Sequence, residues 1–319
     1  MKRLAIDGYD EVYRLECGGS VAFVALHAVL MGRAFGGVRI RRYDGEREAL
    51  DDALALARAM SRKVALTGTP GGGAKAVLIE PRERRADAVR ELGDFVESLG
   101  GRYVCGPDYG FTADDGAVIE QATRFVGRGE LGAATAEGVA LAMEAAVEPR
   151  VVAIQGLGAV GRQLAALLLS RGARVVASEV RGAAGDVGVE IVDPDAIYSV
   201  PCDIFAPCAV GGLLDAQAIA RLRCRAVCGA ANNPLARDEE DAELLRARGI
   251  AYVPDFIANA GAIIRAASEF VGQGALVGAR MAAVRDLARE VLTRAAREGR
   301  SPQVVAVEMA DARITEMRV

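Results

Sequence analysis

VVAIQGLGAVGRQLAALLLSRGARVVASEV (151–180) is the stretch on which the fold turns. VVAIQ is a short, continuous apolar run, as a strand buried on both faces requires. Gly156, Leu157, Gly158, Ala159, Val160 and Gly161 follow, and RQLAALLLSRG then reads as a helix. ARVVAS is a second strand and runs into Glu179, which stands 18 residues beyond Gly161. GxGxxG alone is a weak signal, but strand, helix and acid in their proper places make it specific. The glycines permit a tight turn, the approach of backbone to a pyrophosphate, and close packing of helix on sheet. The helix N-terminus offers unpaired N–H groups to phosphate.

Further apolar runs at 202–206, 225–229 and 251–254 each open into small or polar residues, APCAVGG, GAANN and PDFIANAGA. Ligands of open α/β sheets sit beyond the carboxyl ends of the strands. Cys208, Ala209, Ala231 and Asn232 are therefore expected beside the glycine loop as cofactor contacts. An acid at Glu179 can accept both ribose hydroxyls and repel a 2′-phosphate, so NAD is the expected cofactor, although Arg181 nearby could meet that phosphate.

The first 130 residues read as mixed α/β. Strands are expected at Ser20–Leu26, Gly37–Arg41, Lys63–Thr67, Lys75–Ile79 and Arg102–Cys105. Asp44 is expected to cap a helix running to about Met60, and a second helix spans about Ala86–Leu99. An alanine-rich helix, Ala133–Val147, leads to Pro149, and the chain beyond Gly272 has helical periodicity.

Of 39 basic residues only Lys2, Lys63 and Lys75 are lysines. A chain that uses arginine for its surface cations keeps lysine where a compact charge or a removable proton is needed, because guanidinium stays protonated. Lys75 follows three glycines in PGGGAK, where backbone can approach a ligand closely, and is a candidate acid/base group. A P-loop is excluded, since Lys75 is flanked by Ala74 and Ala76. Asp108, in a loop after an apolar strand, is equally readable as a proton carrier or a turn residue. Asp114 and Asp115 read as a helix start.

Several classes are set aside. The six cysteines form no CxxC pair and His27 is the sole histidine, so no metal site is expected. His27 lies in an apolar run and reads as a core residue rather than a triad member. A net charge of −4 without a basic cluster argues against nucleic acid. No apolar run reaches the roughly 18 residues a membrane span needs, no signal peptide is visible, and a reduced cytoplasmic setting fits.

Taken together, FGGVR (35–39), MSRK (60–63), PGGGAK (70–75), GPDYG (106–110), QGLGAVG (155–161), CDIFAPCAVGG (202–212), GAANN (229–233) and PDFIANAGA (254–262) resemble the glutamate/leucine/phenylalanine/valine dehydrogenase family, nearest its leucine and phenylalanine branch. The resemblance covers almost the entire chain. It implies a two-domain α/β protein with the active site in the cleft: a mixed α/β substrate domain (1–135), a Rossmann-type doubly wound dinucleotide domain (136–271), and C-terminal helices (272–319) packing back on the substrate domain. It implies Lys75 and Asp108 as catalytic groups, Lys63 as partner of the substrate α-carboxylate, and Asn259 facing substrate and nicotinamide. Thr135 corresponds to a threonine near the cofactor. Phe35, Gly36, Gly37, Gly106, Ile263 and Ala266 correspond to substrate-contacting positions, the side-chain pocket among them, with apolar groups where glutamate-specific relatives carry a lysine and a serine.

The activity so implied is NAD-dependent oxidative deamination of an apolar L-amino acid by a homo-oligomer. On this view Lys63 lowers the pKa of Lys75 by like-charge repulsion. A branched aliphatic substrate is preferred to a phenylalanine-type one by a narrow margin. Three departures stand out: a short N-terminus, a short glycine-rich segment after Glu179, and Gly71 where relatives carry a larger residue. They keep open a non-catalytic regulatory paralogue that binds cofactor or a related dehydrogenase subunit. A 2-hydroxy-acid dehydrogenase would be expected to supply a catalytic histidine.

Overall fold

A computed structural model describes residues 1–127, 131–180 and 188–318. Contacts divide the chain into two compact units: Met1–Gly129 with Phe270–Gly272 and Ala310–Val319, and Glu130–Glu269 with Gln273–Met309. The second of these therefore takes in most of the helical segment that follows Gly272.

The first unit contains strands β1 (Lys2–Leu4), β2 (Glu11–Cys17), β3 (Ser20–Leu26) and β4 (Ala34–Arg41), helix α1 (Glu46–Leu66), β5 (Gly72–Ile79), α2 (Arg85–Ser98), β6 (Tyr103–Pro107) and α3 (Ala113–Ala122). Its sheet has the order β1-β2-β3-β5-β4-β6, with β4 parallel to both β5 and β6. Alternation along each strand sends residues to opposite faces. Ala49, Ala53, Leu56 and Ala57 of α1 pack on the face carrying Phe23, Ala25 and Val77. Val89, Leu92 and Val96 of α2 pack on the other, against Ala74, Ala76 and Leu78.

The expected strand at Lys63–Thr67 is instead the end of α1, which runs to Leu66. Ala57, Ser61, Val64 and Ala65 are buried at helical spacing, so the apolar run continues the helix's inner stripe. Asp44 is not its cap. Gly45 holds that position without a side-chain bond, while the Asp44 N–H donates to Glu48.

The second unit follows the glycine motif closely. It comprises α4 (Leu131–Ala146), β7 (Val151–Gln155), α5 (Ala159–Ser170), β8 (Arg174–Ser178), β9 (Glu190–Ile191), β10 (Ile204–Pro207), α6 (Ala216–Arg221), β11 (Ala226–Val227), α7 (Asp238–Ala247), β12 (Ala251–Tyr252) and α8 (Asp255–Ala258). Helices α9 (Gly261–Phe270), α10 (Val277–Glu298) and α11 (Pro302–Arg318) complete the chain. The sheet order is β12-β11-β10-β7-β8-β9 and every pairing is parallel. This is the doubly wound order of dinucleotide-binding sheets, reversing between β7 and β10. No described helix is long and apolar enough to cross a membrane.

Candidate active site

Lys75 sits inside a strand, not in a glycine loop. β5 is paired on one side to β3, with Lys75 opposite Ala25, and on the other to β4. Of the three preceding glycines, Gly72 and Gly73 serve the packing of backbone on backbone. A Cβ on Gly72 would lie 1.9 Å from the Ala28 carbonyl oxygen, and one on Gly73 would lie 2.0 Å from the Ser61 nitrogen. These contacts seat α1 and the segment after β3 directly on β5. Lys75 lies on the α1 face of the sheet with its side chain 6% exposed, and its Nζ stands 2.9 Å from Asp108 Oδ2. Gly37, beside it on β4, leaves the space where they meet: a Cβ there would come within 2.8 Å of Asp108 Cβ and 3.2 Å of Lys75 Nζ.

Asp108 follows β6 and is held by a second cation that sequence reasoning missed. Arg39 Nε donates to Asp108 Oδ2 at 2.9 Å, and its Nη1 reaches Asp52 on α1 at 3.2 Å. Tyr43 Oη donates to the same Asp52 at 2.6 Å. The available signal was phase: Arg39 stands two residues past Gly37 on one strand and so faces the same side. In a chain so rich in arginine its place at the end of FGGVR is the other mark it carries.

The electrostatics follow from this sharing. Burial pushes the Asp108 carboxyl up, but the charges of Lys75 and Arg39 and their hydrogen bonds outweigh it and hold the group below the usual carboxylate range. For Lys75, burial pushes the amine down and Asp108 pushes it back up. Burial is the largest of these effects and the like charge of Arg39 adds to it, so the net shift is downward. The leading cation in that balance is thus Arg39, not Lys63 as expected. Lys63 lies partly buried near the end of α1.

The remaining substrate positions of this unit are Phe35, Gly36 and Gly106. The Phe35 ring is buried and meets Phe270 edge-on at 6.0 Å, and a Cβ on Gly71 would lie 2.8 Å from it. A Cβ on Gly36 would lie 1.7 Å from the Ala74 carbonyl oxygen, so that position is fixed by strand packing, whereas one on Gly106 would meet nothing within 4 Å. Asp115 forms a capping box with Thr112 at the start of α3 and pairs with Arg85, a structural role as read from the sequence. His27 is buried just beyond β3, its Nδ1 2.9 Å from Ser61 Oγ; burial first, then Arg318, lower its pKa to about 4.

In the second unit the loop from Gly156 to Gly161 joins β7 to α5. Gly156 has φ +97, which only glycine adopts readily, and a Cβ on Gly161 would lie 2.1 Å from the Gly156 carbonyl oxygen. Gly158 caps α5, and a Cβ there would meet nothing within 4 Å. The two close-packed glycines thus shape the turn, while the third leaves open space at a helix N-terminus, as a pyrophosphate requires. Glu179, at the end of β8, accepts the Leu157 N–H at 2.8 Å. Arg181 lies outside the described residues.

Cys208 and Ala209 follow β10, with the Cys208 N–H donating to the Gln155 carbonyl at 2.8 Å. Burial raises the Cys208 thiol to about 12, so it stays protonated. Ala231 is buried, and Asn232 accepts from Asn259 Nδ2 at 2.9 Å. With its nitrogen also donating to the Ala230 carbonyl, Asn259 is left with a buried Oδ1 that has no hydrogen-bond partner among the described residues. Thr135 is buried on α4 and donates to the Leu131 carbonyl at 2.8 Å. Ile263 and Ala266 lie three residues apart on α9 and are half-buried. The open glycine loop, the acid beside it and the unmatched amide oxygen fit a nicotinamide dinucleotide.

Comparison with known proteins agrees with this geometry. The sequence profile described as Glu/Leu/Phe/Val dehydrogenase, dimerisation domain, matches residues 15–126, and that described as Glutamate/Leucine/Phenylalanine/Valine dehydrogenase matches residues 178–310. Leucine dehydrogenase of Thermoactinomyces intermedius is 37% identical, over 98% of this chain and 93% of that protein. Phenylalanine dehydrogenase of Lysinibacillus sphaericus is 38% identical over 80% of this chain and 74% of its own length. The crystal structure of L-tryptophan dehydrogenase from Nostoc punctiforme superimposes with a TM-score of 0.84 at 33% identity, covering 98% of this chain and 97% of that one. The chain belongs to the glutamate/leucine/phenylalanine/valine dehydrogenase family and is an amino-acid dehydrogenase.

Proposed function

We propose that this enzyme catalyses the reversible, NAD-dependent oxidative deamination of an apolar L-amino acid of the leucine or valine type, giving a 2-oxo acid and ammonia. The observation that carries this reading is the buried pair of Lys75 and Asp108, whose Nζ and Oδ2 are 2.9 Å apart. Bound NAD supplies a hydride acceptor. Lys63 pairs with the substrate α-carboxylate. Lys75, its pKa depressed, takes a proton from the water that adds to the imine carbon; once protonated, it stabilises the oxygen that develops negative charge there. Asp108, kept ionised by its two cations, exchanges protons with the substrate nitrogen.

Phe35, Gly36, Gly37, Gly106, Ile263 and Ala266 contact the substrate and offer its side chain no cation. An unpaired carboxylate in such surroundings costs several kcal/mol, whereas burying a leucine-sized group gains about 1.5–3 kcal/mol. The loop Gly156, Leu157, Gly158, Ala159, Val160 and Gly161 holds the pyrophosphate. Glu179 receives the ribose hydroxyls, and Thr135, Cys208, Ala209, Ala231, Asn232 and Asn259 complete the cofactor site. The enzyme is read as a cytoplasmic homo-oligomer. The profile matching residues 15–126, described as a dimerisation domain, supports the assembly, which light scattering tests.

A second reading, a phenylalanine-type substrate, is favoured by one observation. The Phe35 ring lies against Phe270 and Gly71, and the space over Gly106 is open. The deciding experiment is kcat/KM for leucine, valine, phenylalanine and glutamate with NAD and with NADP. Phenylalanine as best substrate selects the second reading, glutamate sinks the pocket assignment, and preference for NADP sinks the cofactor assignment. Inactivity with the whole panel would return the regulatory paralogue.

A further inference from the structure

Asp108 meets both of its cations through one oxygen. Lys75 Nζ and Arg39 Nε each lie 2.9 Å from Oδ2. Arg39 is braced from behind by Asp52, 3.2 and 3.3 Å from Nη1, and Asp52 accepts the Tyr43 hydroxyl at 2.6 Å. The Arg39, Asp52 and Asp108 side chains are only 15%, 22% and 17% exposed, so solvent screens these contacts weakly.

We propose that Arg39, braced by Asp52 and Tyr43, is a positioning residue of the deamination: it pins Asp108 by Oδ2 and reserves Oδ1 for proton exchange with the substrate nitrogen. The proposal rests on the reading of Asp108 as the proton-exchanging group. The step is proton transfer alone. A substrate N–H bond breaks, an O–H bond forms on Oδ1, and Asp108 passes from anion to neutral acid before returning the proton to the departing amine.

Lys75 alone cannot hold Oδ2 throughout. Its own protonation changes during the reaction, and with it the strength of its grip. The guanidinium does not titrate, and its fork reaches two carboxylates at once. The other groups around Asp108 are Tyr103 of β6, whose hydroxyl donates to the Gly36 and Gly37 carbonyls, and Tyr43 and Asp52 behind Arg39. Burial raises both tyrosines, so neither ionises near neutrality.

The test uses the full chain with its preferred amino acid and NAD. In Arg39→Met both Lys75 and Asp108 lose a charge that lowers them, so the acid limb of the kcat/KM profile should move up by about one pH unit or more, and kcat should fall about 100-fold, while KM for NAD changes less than about twofold. Arg39→Lys should restore the acid limb to within about half a unit but not kcat, since an ammonium cannot bridge both carboxylates. Tyr43→Phe removes one hydroxyl and should move the limb the same way by a smaller amount, which carries the test if Arg39→Met folds poorly. In an Asp108→Asn background, adding Arg39→Met should cost little more. An unmoved limb in both Arg39→Met and Tyr43→Phe, or full additivity in the double variant, overturns the proposal. Near wild-type kcat in Asp108→Asn overturns it differently, by removing the reading of Asp108 beneath it.

Discussion

Lys75 and Asp108, 2.9 Å apart, titrate away from their usual values in the same direction for different reasons. Asp108 has two cations and stays charged despite burial. For Lys75 burial, with the like charge of Arg39 added to it, prevails over the pull of Asp108 and Asp52. The amine is thereby brought towards the neutral form that a general base needs, while its partner remains an anion.

Lys75→Arg keeps the positive charge but cannot lose its proton, so its kcat should fall as far as that of Lys75→Ala, by about 100-fold or more. Lys63→Ala should act mainly on KM for the amino acid. Steady-state kinetics of the three variants distinguish a base from an anchor. An Arg variant with near-normal kcat would reduce Lys75 to an electrostatic contact.

Two glycines of the nucleotide loop should respond in opposite ways. A Cβ on Gly158 meets nothing within 4 Å, so Gly158→Ala should leave Tm almost unchanged and raise KM for NAD by about tenfold, as a methyl group enters the phosphate's space. Gly161→Ala drives a Cβ to 2.1 Å from a carbonyl oxygen and should lower Tm before any kinetic effect is read. The pairing of thermal melts with cofactor titrations checks both, and equal loss of Tm in the two variants would contradict the division of roles.

Glu179, proposed above to receive the ribose hydroxyls, also accepts the Leu157 N–H. Glu179→Ala should therefore raise KM for NAD and narrow the NAD over NADP preference by at least about tenfold, through loss of the charge that repels a 2′-phosphate. Unchanged relative kcat/KM for the two cofactors would remove Glu179 from the discrimination.

His27 supplies a pH dependence of stability unrelated to turnover. Its folded pKa, about 4, lies below the unfolded value of 6.5. The unfolded chain therefore binds the proton first, and stability is lost as pH falls from about 6.5 towards 4, by up to roughly 3 kcal/mol. His27→Gln cannot titrate, so the wild type should lose Tm faster than this variant on acidification. Parallel curves would show that His27 does not contribute.

Where local pattern and tertiary packing demanded the same thing, the fold was readable. Ser20–Leu26 and VVAIQ are strands with the expected limits, and the glycine loop joins strand to helix as its spacing required. The failures came where one residue type serves two purposes. Val64, Ala65 and Leu66 are apolar enough for a strand, but their partners on α1 lie one and two turns back. Three glycines before a lysine suggest a ligand's approach, yet Gly72 and Gly73 are small because other backbone needs the room. Arg39 stood in the FGGVR motif, but its role was not legible because it depends on Asp108 and Asp52, which meet it only after β4, β6 and α1 are assembled.

The placement of Lys75 between two hydrogen-bonded neighbours has a dynamic consequence. A catalytic lysine on a loop could reach its substrate by moving the main chain. Here the Cα belongs to the sheet interior, so the reach of the proposed base comes from its side-chain torsions, which turn on the picosecond-to-nanosecond scale. The amide hydrogen of Lys75 should exchange with deuterated solvent only when its unit opens globally, and saturating ligand should not alter its rank among the slowest amides.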